Sequence, residues 1–363
     1  MVKYVTLQQN GSLMQHETEI PVLEKGAVLL KVAFSEVCGT DVHLQKGQLE
    51  GVPYPIIPGH VSVGIIEAIN GTVKDVDGKE LAISDHVTFL DVHETCNSCY
   101  YCLVKKQTTR CPSRKVYGIT YSANEGLLGG WSEDIYLKPG VKILKIKSEV
   151  PFKMFMAGGC GLPTAIHAIE RANIQLGDTV VVQGAGPVGL MAGILSKLRG
   201  SFNVILVDYS ELRVEIAKKF DLTAVVIKDL IFEERIQKIS NLTEGKMADI
   251  VIEASGNPKA VREGMNYARD GGTYIIVGQY TNAGDVSINP HLDINKKHLT
   301  IKGSWGSDFS HFYLAVKFIE SFYNKLPLDL IISRQYNLDE IEQALDDVKN
   351  LKVMKALINP FKT

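Results

Sequence analysis

The sequence contains no long uninterrupted apolar run. Its most apolar stretch, Thr179 to Leu195, is broken by four glycines and a proline, which suits a buried strand, turn and helix better than a membrane span. A surplus of either charge is also missing. Charged residues make up 22% and leave a formal net charge of -2, so nothing calls for nucleic acid or an anionic membrane as partner, and the short pairs Lys105-Lys106 and Arg114-Lys115 read as solvated. The first residues show no basic start followed by an apolar core, so a secretory signal is not expected. Cysteine is scarce, six in 363 residues. Six could form three disulfides, but in a chain of this length without a signal they point to a reducing, cytoplasmic setting, where clustered thiols bind metal. Asn70-Gly71-Thr72 and Asn241-Leu242-Thr243 are then glycosylation acceptors in form only.

The few cysteines are unevenly placed. Cys96, Cys99, Cys102 and Cys111 crowd one short stretch, while Cys38 and Cys160 lie far off on either side. A closed structural zinc site wants four thiolates from one compact loop, whereas a catalytic zinc wants three ligands from distant elements and an open position. The split therefore suggests two metal sites of different kinds. An iron–sulfur cluster is the rival for the crowded four, since ferredoxin runs share the first two spacings and also end in Cys-Pro, as Cys111-Pro112 does; their last gap is much shorter.

At this length the chain can bury two cores. The first part reads as β-rich, with apolar runs at Val28 to Phe34 and Val61 to Ile69 between Gly, Pro and Asn punctuation. From about Gly161 strands and helices alternate: strands Val180 to Gln183, Val204 to Asp208, Ala224 to Ile227, Ile250 to Ala254 and Tyr274 to Gly278, with helices Val188 to Leu198 and Ser210 to Phe220. Gly271-Gly272 is expected to turn the chain into the last of these strands. That order implies a parallel, doubly wound α/β sheet. Helices Phe309 to Tyr323 and Asp339 to Lys349 and a strand Lys355 to Ile358 close the chain.

Gly184-Ala185-Gly186-Pro187-Val188-Gly189 follows the first of those strands and opens a helix, and Asp208 ends the next strand. This is the context a dinucleotide fingerprint requires: Gly184 for the tight turn, Gly186 for close approach of the pyrophosphate, Gly189 for helix–sheet packing. Phosphates then face the helix N-terminus. Asp208 can accept from the ribose hydroxyls and repel a 2′-phosphate, which favours NAD over NADP; a turn that binds nothing, with Asp208 as a helix cap, is the plain alternative. Pro187, Val188 and Arg213 complete the expected cofactor-binding set.

Cys38-Gly39-Thr40-Asp41-Val42-His43, Pro58-Gly59-His60 and Gly159-Cys160-Gly161-Leu162-Pro163-Thr164 would not be joined by spacing alone. Together with the cysteine loop and the fingerprint, in this order along essentially the whole chain, they closely resemble the zinc-dependent medium-chain alcohol dehydrogenase family. The resemblance implies a GroES-like β-rich catalytic domain over residues 1–160, to which 306–363 return, and a Rossmann NAD-binding domain over 161–305. It implies Cys38, His60 and Cys160 as catalytic-zinc ligands and Cys96, Cys99, Cys102 and Cys111 as structural ones, hence two zinc ions per chain. It assigns Thr40 to the hydroxyl that takes the substrate proton, His43 to the next relay group and Asp41 to the carboxylate that orients the ligating histidine. Val92, Val116 and Trp131 correspond to positions lining the substrate pocket.

Three departures stand out. Gly39 replaces an arginine common after the first zinc cysteine, Val61 replaces a glutamate common after the ligating histidine, and the gap before Cys111 is one residue longer than in well-known members. The expected activity is reversible oxidation of an alcohol to an aldehyde or ketone with NAD, by a homodimer or homotetramer acting on a small alcohol or carbonyl compound. A third ligand Cys160, rather than the glutamate of sorbitol-type relatives, favours an alcohol dehydrogenase proper acting on a secondary or cyclic alcohol. His93 and Glu94 beside Val92 keep a polyol- or threonine-type dehydrogenase as the alternative. From other classes, a nucleotide-binding protein without catalysis and an iron–sulfur electron carrier remain.

Overall fold

The computed structural model describes residues 1–362, which divide into two compact units: Met1–Gly159 with the chain from Asp308 onward, and Cys160–Ser307. Cys160 groups with the second unit because it caps the helix Gly161–Ala172.

The first unit is built around the strand Val28–Val37. Its alternate residues Val28, Leu30 and Val32 enter one core together with Ile66, Val87 and Ile135, as the period-two geometry of a strand requires. Ser62–Ile69 pairs along one side of it, with Ser35 opposite Ser62. The other side is shared by Asp134–Leu137, which pairs from Val28 to Lys31, and Ala356–Ile358, which pairs from Ser35 to Val37. His86–Phe89 and Ile143–Lys145 extend the sheet beyond Ser62–Ile69, and Arg334–Tyr336 extends it beyond Ala356–Ile358. The end of the chain thus completes a sheet begun near its start. A hairpin, Val2–Leu7 with Leu13–Thr18, was not foreseen from the sequence.

The second unit contains a six-stranded, wholly parallel sheet among the described residues. Its spatial order is Thr223–Val226, Asn203–Asp208, Thr179–Gln183, Ala248–Glu253, Ala268–Ile276, Thr300–Gly303. Numbered by appearance within the unit, that order is the one seen in Rossmann folds, with its reversal beside Thr179–Gln183. Val180, Val181 and Val182 are fully buried, which explains their unbroken β-branched run: a central parallel strand is covered on both faces. The glycine pair does not precede the fifth strand. Gly271 and Gly272 lie inside Ala268–Ile276, where the register shifts between Ala248 and Ile250 on the partner strand, and a glycine with φ +73° at position 271 absorbs that irregularity. Among the described residues no helix is long and apolar enough to cross a membrane.

Candidate active site

Strand register delivers the first two metal-ligand candidates. Val28–Val37 ends immediately before Cys38, Ser62–Ile69 begins just after His60, and the Glu36 N–H donates to the Val61 carbonyl at 3.1 Å. The Cys38 Sγ and His60 Nε2 atoms are consequently 4.0 Å apart. The ligand atoms of Cys38, His60 and Cys160 all lie within 4.8 Å of one another.

The short helix Gly39–Gln45 begins at Cys38 through a capping box: the Thr40 N–H donates to Cys38 Sγ at 3.3 Å, and the Cys38 N–H donates to Asp41 Oδ2 at 2.8 Å. Amides at a helix start favour a thiolate. Burial by itself lowers the pKa of His60, but the charge of Cys38, their hydrogen bond, and the charges of Asp41 and Asp91 outweigh it and carry the imidazole to about 10. Burial, reinforced by Cys38, pushes the Asp41 carboxyl well above its usual range. The protein groups thus make a buried, electronegative spot that attracts a cation.

Asp41 does not orient His60 as the resemblance implied. Its Oδ2 is occupied by the Cys38 N–H, while Asp41 Oδ1 and His60 Nδ1 are both buried without a hydrogen-bond partner. Asp41 instead fixes the backbone of the cysteine beside it. Thr40 is half-buried on the same helix, and half-buried His43 accepts or donates at Nδ1 to Gln48 Oε1, 2.7 Å away. An amide oxygen only accepts, so in this pairing Nδ1 carries the proton.

The second cluster is local. Cys96, Cys99, Cys102 and Cys111 also place their sulfurs within 4.8 Å of one another. Cys96 and Cys111 are 3.6 Å apart, too far for a disulfide at about 2.05 Å and close to the spacing of about 3.8 Å expected between thiolates around one zinc with Zn–S near 2.3 Å. Amide and hydroxyl donors from Ser98, with help from Cys99, hold Cys96 down at about 6, whereas desolvation and the neighbouring thiols push Cys102 up to about 12. Four thiolates coexist here only with a cation among them.

In the second unit, Gly186 caps the helix Pro187–Leu198, with Pro187 at its first position, where a missing N–H costs nothing. Gly184 has φ +91°, and a Cβ there would lie 2.9 Å from the Ala254 carbonyl oxygen and Ser255 Cα. A Cβ on Gly189 would strike the Gly184 carbonyl oxygen. Asp208 is buried and grips this turn, accepting from the Ala185 N–H at 2.6 Å through Oδ2 and from the Ser210 N–H at 2.7 Å through Oδ1. Arg213 Nη1 stands 3.9 Å from Asp208 Oδ2 and beside Gly186.

The expected pocket residues divide. Val92 and Val116 oppose each other across a two-stranded ribbon, and both are buried. Trp131 does not line an accessible pocket: it is 0% exposed, belongs to the core cluster of the first unit, and donates from Nε1 to the Glu36 carbonyl at 3.4 Å. The glycines around it let it sink there, since a Cβ on Gly59 would meet its ring at 2.8 Å. His93 spends both ring nitrogens on the protein, 2.7 Å from the Tyr121 hydroxyl and 3.1 Å from the Pro139 carbonyl, and Glu94 is exposed.

Sequence reasoning missed a pair beside the first cluster. Glu36 Oε1 and Lys355 Nζ are 2.7 Å apart, with side chains 1% and 0% exposed. A glutamate between Ser35 and Val37 at the end of an apolar strand was the available signal; its partner, far along the chain, gave none.

A protein with a Rossmann sheet, a fingerprint turn and two thiol-rich clusters belongs to the metal- and dinucleotide-dependent oxidoreductases. Residues 24–148 match the alcohol dehydrogenase GroES-like domain, and residues 187–321 match the zinc-binding dehydrogenase family. The chain is 30% identical over 346 residues to 5-exo-hydroxycamphor dehydrogenase of Pseudomonas putida, covering 94% of each chain. It is also 30% identical to D-arabinitol dehydrogenase 1 of Uromyces fabae, covering 95% of this chain and 93% of that one. An alcohol dehydrogenase of known structure from Thermotoga maritima superposes with a TM-score of 0.93 at 31% identity, covering 99% of both chains. The chain therefore belongs to the zinc-dependent medium-chain alcohol dehydrogenase family, an oxidoreductase with zinc and a nicotinamide dinucleotide as cofactors. Both clusters fit zinc by donor type and spacing, and the turn at Gly184–Gly189 has the tight, glycine-dependent backbone of a dinucleotide fingerprint, since a Cβ at Gly184 or Gly189 would strike neighbouring backbone.

Proposed function

We propose that the protein is an NAD-dependent dehydrogenase of a secondary or cyclic, largely apolar alcohol, working reversibly. The observation that carries this reading is the convergence of Cys38 Sγ, His60 Nε2 and the Cys160 sulfur within 4.8 Å at the start of a helix bearing Thr40 and His43. Three ligands leave a fourth position for substrate. Cys38, His60 and Cys160 would hold a zinc ion that would supply Lewis acidity toward an alcohol oxygen, and the turn at Gly184–Gly189 with Asp208 would hold the nicotinamide nucleotide that would supply hydride chemistry. The Thr40 hydroxyl accepts the alcohol proton as it passes its own on, and the imidazole of His43 relays it toward solvent, with Gln48 holding the ring at Nδ1. Cys96, Cys99, Cys102 and Cys111 hold the second, structural zinc. Asp208 favours NAD because its buried carboxylate repels a 2′-phosphate.

The substrate class rests on Val92 and Val116, which offer apolar area and no cation, so an anionic substrate would lose its solvation uncompensated. The hydroxycamphor relative acts on such an alcohol. The arabinitol relative, equally similar, keeps a polyol as the second reading; engagement of both His93 nitrogens weighs against it. Exposed Tyr100, Leu103 and Val104 on the cysteine loop support assembly as a homodimer or homotetramer, and six cysteines held as thiols rather than disulfides support a reducing, cytoplasmic setting. The test is kcat/KM with NAD for cyclohexanol-like alcohols, short primary alcohols and sorbitol-like polyols. The cyclic alcohols are expected to lead; a preference for polyols overturns the apolar reading, and no NAD reduction with any of them overturns the activity.

A further inference from the structure

Glu253 ends the strand Ala248–Glu253, with Gln183 opposite it on one neighbour and Ile276 on the other. Its side chain is 0% exposed, and among the described residues its charge is met by N–H and O–H donors rather than by a cation. Oε1 accepts from the Ser255 N–H, the Ser255 hydroxyl and the Gly256 N–H, each at 2.8 Å, and Oε2 accepts from the Gly278 N–H at 3.1 Å. Burying a carboxylate is costly unless such charge-assisted bonds repay it. Here they gather two loops, those leaving the ends of adjacent strands at Ala254 and Val277, onto one point. The first loop also lies against the fingerprint, because a Cβ on Gly184 would come within 2.9 Å of Ser255 Cα.

The placement of these loops gives them a task. In an open sheet a dinucleotide crosses at the strand ends where the order reverses, which here is between Thr179–Gln183 and Ala248–Glu253. Asp208 takes the adenosine side, so the other half of the molecule runs over the ends of Ala248–Glu253 and Ala268–Ile276. We infer that Glu253 is a positioning residue for the nicotinamide half of the cofactor, holding the loops at Ser255-Gly256 and Gly278 in the shape that receives it without touching it. This rests on the dinucleotide reading given above.

The test compares two ligands on the zinc-loaded full chain: NADH, followed by its fluorescence, and 5′-AMP, followed by calorimetry. Glu253→Gln keeps the shape but turns an amide donor toward N–H groups. It is expected to weaken NADH about tenfold, or 1.4 kcal/mol, to return the emission of bound NADH toward that of the free nucleotide, and to leave 5′-AMP within about twofold. Gly278→Ala reaches the same loops without altering the charge, since the added Cβ would collide with the Gly256 nitrogen and lie 2.8 Å from Glu253 Oε1; the same split between ligands is expected, also if Glu253→Gln fails to fold. Equal weakening of NADH and 5′-AMP, or unchanged NADH binding and emission, overturns the inference while the dinucleotide reading stands. Wild-type protein that binds neither ligand overturns both.

Discussion

The two thiol clusters use the same soft donors for opposite ends. At Cys96–Cys111 the ligands come from one loop, three of the four are partly exposed, and the helix between them, Tyr100–Leu103, contains no buried residue. A segment that buries so little has no core to hold it, so a cation bound by its four sulfurs would take the core's place. At Cys38, His60 and Cys160 the order is reversed. Strand register and a capped helix hold Cys38 and His60, which are 8% and 5% exposed, and Asp41, Glu36 and Lys355 are packed beside them. A site shaped by the fold leaves its metal free for chemistry.

Cys38→Ser should draw that contrast most sharply. Turnover is expected to fall to the assay background and zinc from two to one per chain by elemental analysis, with thermal unfolding close to wild type. Cys99→Ser should do the converse: a structural site contributes folding free energy, about 10–16 kcal/mol of metal binding in zinc-finger peptides, so a clear drop in Tm is expected on losing one ligand. Both variants losing stability equally would mean that the two clusters do not differ in kind.

Thr40→Ala tests the catalytic side without disturbing the ligands, because the bond from residue 40 to Cys38 Sγ comes from its backbone N–H. A loss of about 10²–10⁴-fold in kcat is expected, with both zinc ions retained. Wild-type kcat where chemistry is rate-limiting would mean that the proton leaves by another path.

Lys355→Met tests whether the fold really holds this site. It takes the ammonium away from the buried Glu36 carboxylate, and removing one partner of a buried pair costs roughly 3–5 kcal/mol. Urea unfolding should show that loss, and adding Glu36→Leu should recover much of it. A single variant as stable as wild type would show that Lys355 is not what holds Glu36 and the strand end before Cys38 in place.

The same contrast governs what could be read without coordinates. The cysteine loop is legible because all its ligands fall in one short stretch, and the Rossmann sheet because each strand and helix announces itself locally, as Val180 to Val182 do before Gly184. Cys38, His60 and Cys160 were joined only through resemblance, since their grouping depends on which residues face each other across strands. Asp41 and Trp131 mark the limit. A motif could say that Asp41 lies near the metal ligands but not that its oxygen would go to the Cys38 N–H, and an aligned position could not show that the space around Gly59 and Gly130 lets Trp131 sink into the core. Glu36 could be noticed within its apolar strand, but its pairing with Lys355 could not, because that pairing joins distant parts of the chain.

Asp208 combines both kinds of site, which makes its substitution the smallest and most discriminating change. It sits in a locally readable motif, yet its oxygens already accept from the Ala185 and Ser210 N–H groups, so it shapes the turn in addition to the ribose-reading role proposed for it. Asp208→Asn keeps one acceptor and removes the charge; Asp208→Ser removes the reach as well. If repulsion sets cofactor choice, both should narrow the NAD over NADP preference in kcat/KM by roughly tenfold, the scale of one hydrogen bond to a charged group at about 1.5 kcal/mol. Arg213, 3.9 Å away and released from its partner, is then available to a 2′-phosphate. If the carboxylate chiefly shapes the turn, Asp208→Ser should raise KM for NAD and NADP alike while Asp208→Asn does less. Zinc content should stay unchanged in either case, because the Asp208 carboxylate bonds to the turn and not to any metal-ligand candidate. Unaltered selectivity in both variants would remove Asp208 from cofactor choice and leave it a structural role only.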